Sequence, residues 1–131
     1  MQGGSLGSIS KGEYIVRLMN LVGYDAIALG NHEFDWGSDF IVQNGEIAEF
    51  PMLAINVYDS ATNERADFCQ PSVMVERDGI KIGIIGAIGD CYSSISASMV
   101  TDVKFKVGRE LTELVKAESE KLRAQGAELI V

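Results

Sequence analysis

The sequence predicts a layered α/β or α+β domain with a mixed sheet. Strand-like and helix-like segments alternate along it, with βα units at each end and a hairpin signal between them. Its 131 residues suffice for one compact core. A composition of 47% hydrophobic and 23% charged residues with only two prolines is globular rather than disordered.

Ser10-Lys11-Gly12-Glu13 reads as a capping box that opens a helix. Ile15, Leu18, Met19 and Val22 follow at helical spacing, and Gly23 stands where a left-handed cap would end it. Asp25 to Leu29 is a short apolar run bounded by glycine, the pattern of a buried strand. Gly30 to Gly37 breaks that pattern and reads as a loop at the strand's carboxyl end. A second helix is expected from Ser38 or Asp39, with Phe40, Ile41, Ile47 and Ala48 inward. Gly45 weakens its last turns.

Met52 to Val57 reads as one strand, and Tyr58 to Gln70 as a polar loop without periodicity. Val73 to Glu76 and Ile80 to Ile85 flank Asp78-Gly79, a dipeptide suited to a tight turn, so an antiparallel pair is predicted. Ser93 to Ser98 is a serine-rich loop, and Asp102 to Phe105 a short extended piece. Glu110 to Gln125 is the longest helix, with Leu111, Leu114, Val115 and Leu122 inward. Gly126 closes it before a strand from Ala127 to Val131. Ligands gather beyond the carboxyl ends of strands in open α/β sheets, and this last strand stops before its loop. The sequence is therefore expected to be an internal piece of a larger domain.

Composition excludes several classes of function. The chain carries 19 acidic and 11 basic residues, a net charge of −8, and would repel a polyanion, so no nucleic-acid partner is expected. A phosphate substrate would need metal cations. No run approaches the roughly 18 apolar residues of a membrane span, and no membrane segment is expected. Cys69 and Cys91 lack C-x-x-C spacing and signal neither a zinc site nor a disulfide framework.

Reactive groups concentrate in one place. Gly30-Asn31-His32-Glu33-Phe34-Asp35 offers an amide, the sole histidine and two carboxylates just after a buried strand. Amide oxygen, neutral imidazole and carboxylate all ligate magnesium, manganese or zinc. Neighbouring residues on an extended loop point apart, so one ligand is expected from this hexapeptide. The other reading of the same spacing makes Glu33 and Asp35 loop or cap residues and His32 a partly buried turn residue. The glycine run Gly83 to Gly89 lacks the G-x-G-x-x-G spacing of a dinucleotide loop and reads as a packed strand and turn.

The surrounding residues resemble one family. Gly23-Tyr24-Asp25-Ala26-Ile27-Ala28-Leu29 running into G-N-H-E-F-D is similar to the metallophosphoesterase (calcineurin-like) domain of bacterial 5'-nucleotidases and 2',3'-cyclic-nucleotide 2'-phosphodiesterases. Gln2-Gly3, Lys11-Gly12-Glu13 and Phe50 to Val57, with Ile55 departing, resemble further family segments. So do Asp78-Gly79-Ile80-Lys81-Ile82-Gly83 and Gly126-Ala127-Glu128.

The resemblance implies a layered α/β/β/α sandwich truncated at both ends. Residues 1–131 would form a partial domain from which the amino-terminal metal motifs and the carboxyl-terminal histidine motifs are missing. It implies a hydrolase acting on nucleoside phosphates through two divalent ions (Mn, Zn, Mg or similar), which the segment alone would not fully bind. Asn31 would be a metal ligand, His32 a donor to the phosphoryl group, and Glu33 and Asp35 loop supports. It further implies a nucleotide substrate and an exported setting, periplasmic or on the cell surface. Exposed sheet edges would favour self-association. The segment by itself is expected to be inactive. The alternative is a non-catalytic α/β binding or structural module.

Overall fold

The computed structural model describes residues 1 and 4–131, so the Gln2-Gly3 resemblance lies outside the described residues. The fold is a mixed α/β arrangement of helices against three small sheets. Helices α1 (Gly4–Ile9) and α2 (Glu13–Val22) precede β1 (Ile27–Ala28), and α3 (Ser38–Ile47) leads to β2 (Met52–Leu53) and β3 (Val57–Asp59). The hairpin β4 (Ser72–Arg77) and β5 (Ile80–Ile85), then β6 (Val103–Phe105), α4 (Arg109–Ala124) and β7 (Leu129–Ile130), complete the chain. β1 and β2 pair in parallel, β3 and β6 antiparallel, and β4, β5 and β7 form a mixed sheet with β5 and β7 parallel.

Several elements stand where the sequence places them. Asp78 and Gly79 both have positive φ, 52° and 82°, the backbone that suits a two-residue turn between twisted strands. Gly23 at φ 81° caps α2, its N–H reaching the carbonyls of Met19 and Asn20. Helix α3 runs through Gly45 to Ile47.

Others differ. The Ser10 capping box does not form, because Lys11 and Gly12 take left-handed conformations (φ 49° and 95°) that end α1 and delay α2. The Ser10 hydroxyl instead donates to the Leu6 carbonyl at 2.8 Å and accepts the Tyr14 N–H at 3.3 Å. Helix α1 itself has no counterpart in the sequence reading. On α2 the buried residue is Val16; of the expected inward face, Met19 packs against the core and Ile15 is half-buried, while Leu18 and Val22 are 50% and 74% exposed. The first strand is shorter than Asp25 to Leu29, because only Ile27 and Ala28 pair with β2, while Asp25 forms an ion pair with Arg77 on the hairpin.

The largest departure is at Met52 to Val57, which is two strands rather than one. After β2 the backbone leaves β1: Ala54 N–H bonds the Gln70 carbonyl and Ile55 N–H the Gly86 carbonyl, both at 2.8 Å, before β3 joins β6 in another sheet. Asn56, fully buried, occupies the junction. Its carboxamide donates to the carbonyls of Ile88 (2.7 Å) and Lys106 (2.8 Å) and accepts the Ile88 N–H at 3.0 Å. Gly86 is required here, because a Cβ on it would come within 2.3 Å of the Leu53 Cβ.

One apolar cluster runs from Val16 through Leu29, Phe34, Ile41 and Phe50 to Val103 and Phe105. On α4, Leu122 is buried as expected, and Glu118 is buried beside it. The Ser72 hydroxyl donates to the Glu118 carboxylate at 2.6 Å, which fastens the helix to the hairpin, and Lys121 Nζ on the same helix donates to that carboxylate at 2.8 Å. Burial pushes this carboxyl upward, but the hydrogen bonds from Lys121 and Ser72 outweigh it and hold the group below its ordinary value of 4.5. A depressed folded-state value stabilises the fold above the unfolded value and is lost as pH falls through the folded one. We therefore expect Glu118→Gln to cost about 1–2 kcal/mol near neutral pH, and the difference from wild type to shrink in urea denaturation as pH falls below the ordinary value of 4.5.

Candidate functional site

The segment from Gly30 to Asp35 leaves β1 at its carboxyl end, beside the end of β2. It is not an extended loop. Asn31–Phe34 form a single 3-10 turn, which changes which side chains meet. In such a turn residues i and i+3 eclipse, so His32 lies over Asp35 and Asn31 over Phe34.

Two contacts fix the turn from opposite sides. Phe34 is fully buried, with its ring edge-on to Phe105 at 5.2 Å between centroids and to Phe68 at 6.5 Å. Glu33 reaches back so that its Oε2 accepts the Gly30 N–H at 2.7 Å. The backbone closes the rest, with Asp35 N–H to the His32 carbonyl at 3.3 Å and Gly37 N–H to the Phe34 carbonyl at 3.0 Å.

The polar groups of the turn are thus sorted. His32 is 61% exposed and its Nδ1 lies 2.9 Å from Asp35 Oδ2, whose side chain is 22% exposed. A carboxylate only accepts, so Nδ1–H is the donor, and Nε2 is the ring nitrogen left for another partner. On a neutral ring the single proton is committed to Asp35, and Nε2 then accepts. With both protons present, Nε2 donates and Asp35 faces the ring as counter-ion. Asn31 is half-buried and stands outside the hydrogen bonds that Glu33 and His32 make.

The two carboxylates do different jobs: Glu33 closes the turn, while Asp35 holds the imidazole. Sequence reading groups them together as loop residues because it lacks the i, i+3 geometry. It also passes over Phe34, whose aromatic character in a polar stretch is the one available signal of an anchor.

Among the described residues no three His, Cys, Asp or Glu side chains stand together as a metal-binding group. The donor set at this turn suits one corner of a cation site: a neutral amide oxygen at Asn31, with an imidazole next to it. The thiols are remote from such chemistry. Burial pushes Cys69 up to about 11 and raises Cys91 as well, so both are protonated near neutral pH. No helix among the described residues is long and apolar enough to cross a membrane.

No protein-family model matches the chain. It is 38% identical over 104 residues to the 5'-nucleotidase of Vibrio cholerae, an alignment that covers 79% of this chain and 18% of that protein. The solved structure of a 5'-nucleotidase precursor from Thermus thermophilus superposes with a TM-score of 0.83 at 28% identity, over 99% of this chain and 25% of that one. The calcineurin-like phosphoesterase YfkN of Bacillus subtilis gives 0.76 at 26% identity, over 98% of this chain and 43% of that one. The chain spans under a fifth of the length of the curated relatives it matches.

Proposed function

We infer that this chain, a relative of the bacterial 5'-nucleotidases with the calcineurin-like phosphoesterase fold, supplies one corner of a metal-dependent site that hydrolyses nucleoside phosphates. The observation that carries this reading is the 3-10 turn Asn31–Phe34 at the carboxyl end of β1, in which a half-buried Asn31 is followed by an exposed His32 held by Asp35. Likeness to proteins named 5'-nucleotidase supports the substrate class.

In this reading Asn31 gives its carboxamide oxygen to one of two divalent cations. A neutral ligand suits a site that must also take an anionic phosphate. The remaining ligands would come from the rest of the parent polypeptide, since the described residues hold no group of three or more metal-ligating side chains and span a small part of their relatives' length. The chemistry such cations supply is Lewis-acid polarisation of the phosphoryl group and activation of water. His32, with both ring nitrogens protonated, would then donate from Nε2 to the phosphoryl or leaving oxygen as charge develops, with its ring orientation set by Asp35. Glu33 and Phe34 position both residues without touching substrate. In this reading residues 1–131 form part of a larger catalytic domain.

The test uses the complete natural polypeptide that carries these residues. Incubated with a nucleoside 5'-monophosphate and manganese, it should release inorganic phosphate, a chelator should abolish the release, and added manganese should restore it. Phosphate release indifferent to chelation overturns the metal role. No release from any nucleoside monophosphate favours the non-catalytic module instead.

A further inference from the structure

Among the described residues strand β6 pairs on one side only, with β3. The Lys106 N–H bonds the Asn56 carbonyl across that pair, and successive N–H groups of a strand point to opposite sides, so the Phe105 N–H points away from β3. It donates to the Tyr92 hydroxyl at 2.8 Å. A side chain thus satisfies the outward amide of an edge strand. The Tyr92 ring also stands edge-on to Phe105, with 5.1 Å between centroids, and it belongs to a separate 3-10 turn, Tyr92–Ser94.

Phe105 is in turn the ring that seats Phe34 at 5.2 Å, so Tyr92, Phe105 and Phe34 form a row that ends in the Asn31–Phe34 turn. The same strand grips the chain again beyond that turn. Ser38, the first residue of α3, donates at 2.5 Å to Asp102, the residue before β6. β6 therefore holds both Phe34 and Ser38, and Tyr92 holds the outer side of β6 at Phe105. A close-packed interior passes a displacement on rather than absorbing it. A shift of Phe105 reaches Phe34 and, because i and i+3 eclipse in a 3-10 turn, Asn31.

We propose that Tyr92 is a positioning residue for the cation site, setting through Phe105 and Phe34 where the Asn31 carboxamide stands. The proposal rests on the reading of Asn31 as a metal ligand given above, and Tyr92 itself touches neither cation nor substrate. Its hydroxyl can be removed with the row of rings left in place. The Phe105 amide then loses its partner, and the strand edge is free to move.

The test is manganese binding by isothermal titration calorimetry on the complete natural polypeptide after chelator treatment, with the urea midpoint of each variant measured beside it. Tyr92→Phe should weaken manganese about 3- to 10-fold, and Tyr92→Ala, which removes the ring as well, about 10-fold or more. The KM for a nucleoside 5'-monophosphate at saturating manganese should stay within about two-fold of wild type. In an Asn31→Ala background Tyr92→Phe should change manganese binding by less than about two-fold, because the ligand it positions is gone. A role in stability alone lowers the urea midpoint at wild-type manganese affinity, or weakens manganese equally in both backgrounds, and either result overturns the proposal. If Asn31→Ala binds manganese as wild type does, the ligand reading fails and the proposal with it. If Asn31→Ala binds weakly while both Tyr92 variants bind normally, the proposal alone fails.

Discussion

Replacing His32 with alanine in the complete polypeptide should lower kcat for a nucleoside 5'-monophosphate by about 10²–10³, close to 3–4 kcal/mol of barrier, while metal content per chain stays at its wild-type level. The expectation follows from where the imidazole stands. It is 61% exposed and tied to the fold only through Asp35, so its removal leaves Phe34, Glu33 and the turn in place. A donor that acts mainly as charge develops contributes to the barrier and little to ground-state binding. Asn31→Ala removes a proposed ligand and should reduce metal content together with rate. Asp35→Asn keeps the shape but loses the charge that faces the ring, and about 10- to 100-fold in kcat is expected with metal retained. Steady-state kinetics with elemental analysis of the purified variants separates the three. If His32→Ala strips metal while Asn31→Ala does not, the two roles have been exchanged.

Phe34→Ala should destabilise the fold by about 3–5 kcal/mol, measured as a drop in the urea midpoint at unchanged slope. A domain of this size is stable by about 5–15 kcal/mol, so about a fifth or more of its stability is at stake. The ring is fully buried, and it loses edge-on contacts to Phe105 and Phe68 as well as apolar burial. Phe34→Leu fills most of the volume and should cost much less. A loss below about 1 kcal/mol for the alanine variant would mean that the cluster closes around the gap and that the turn is held by Glu33 instead.

Local signals of strong chemistry were readable, and features imposed from a distance were not. The Asp78-Gly79 turn depends on two residues that tolerate positive φ, and the Gly23 cap on one, so both could be placed without the rest of the fold. Helix α4 carries its apolar stripe in its own sequence. Met52 to Val57, in contrast, is buried at every position, and a run with no exposed face has no period to reveal a break. The partners that split it, Gln70 and Gly86, lie well downstream. At the candidate site, residue types alone located Asn31, His32, Glu33 and Asp35. The 3-10 turn that sorts them is held by Phe105, more than seventy positions away, so their division of labour had no local signature.

The buried carboxamide at the β2–β3 junction has a consequence for how the molecule opens. The Asn56 side chain joins the turn between two sheets, the strand exit at Ile88 and the strand end at Lys106. Those segments cannot separate one at a time without leaving a desolvated amide unpaired, so they should breathe as a single cooperative unit. In native-state hydrogen–deuterium exchange the amides of Ile55, Ile88 and Lys106 should share one opening free energy, while the termini of α1 and α2 exchange early. The rim that carries the Asn31 turn is next to this unit, and its shape therefore persists as long as the whole junction stays closed.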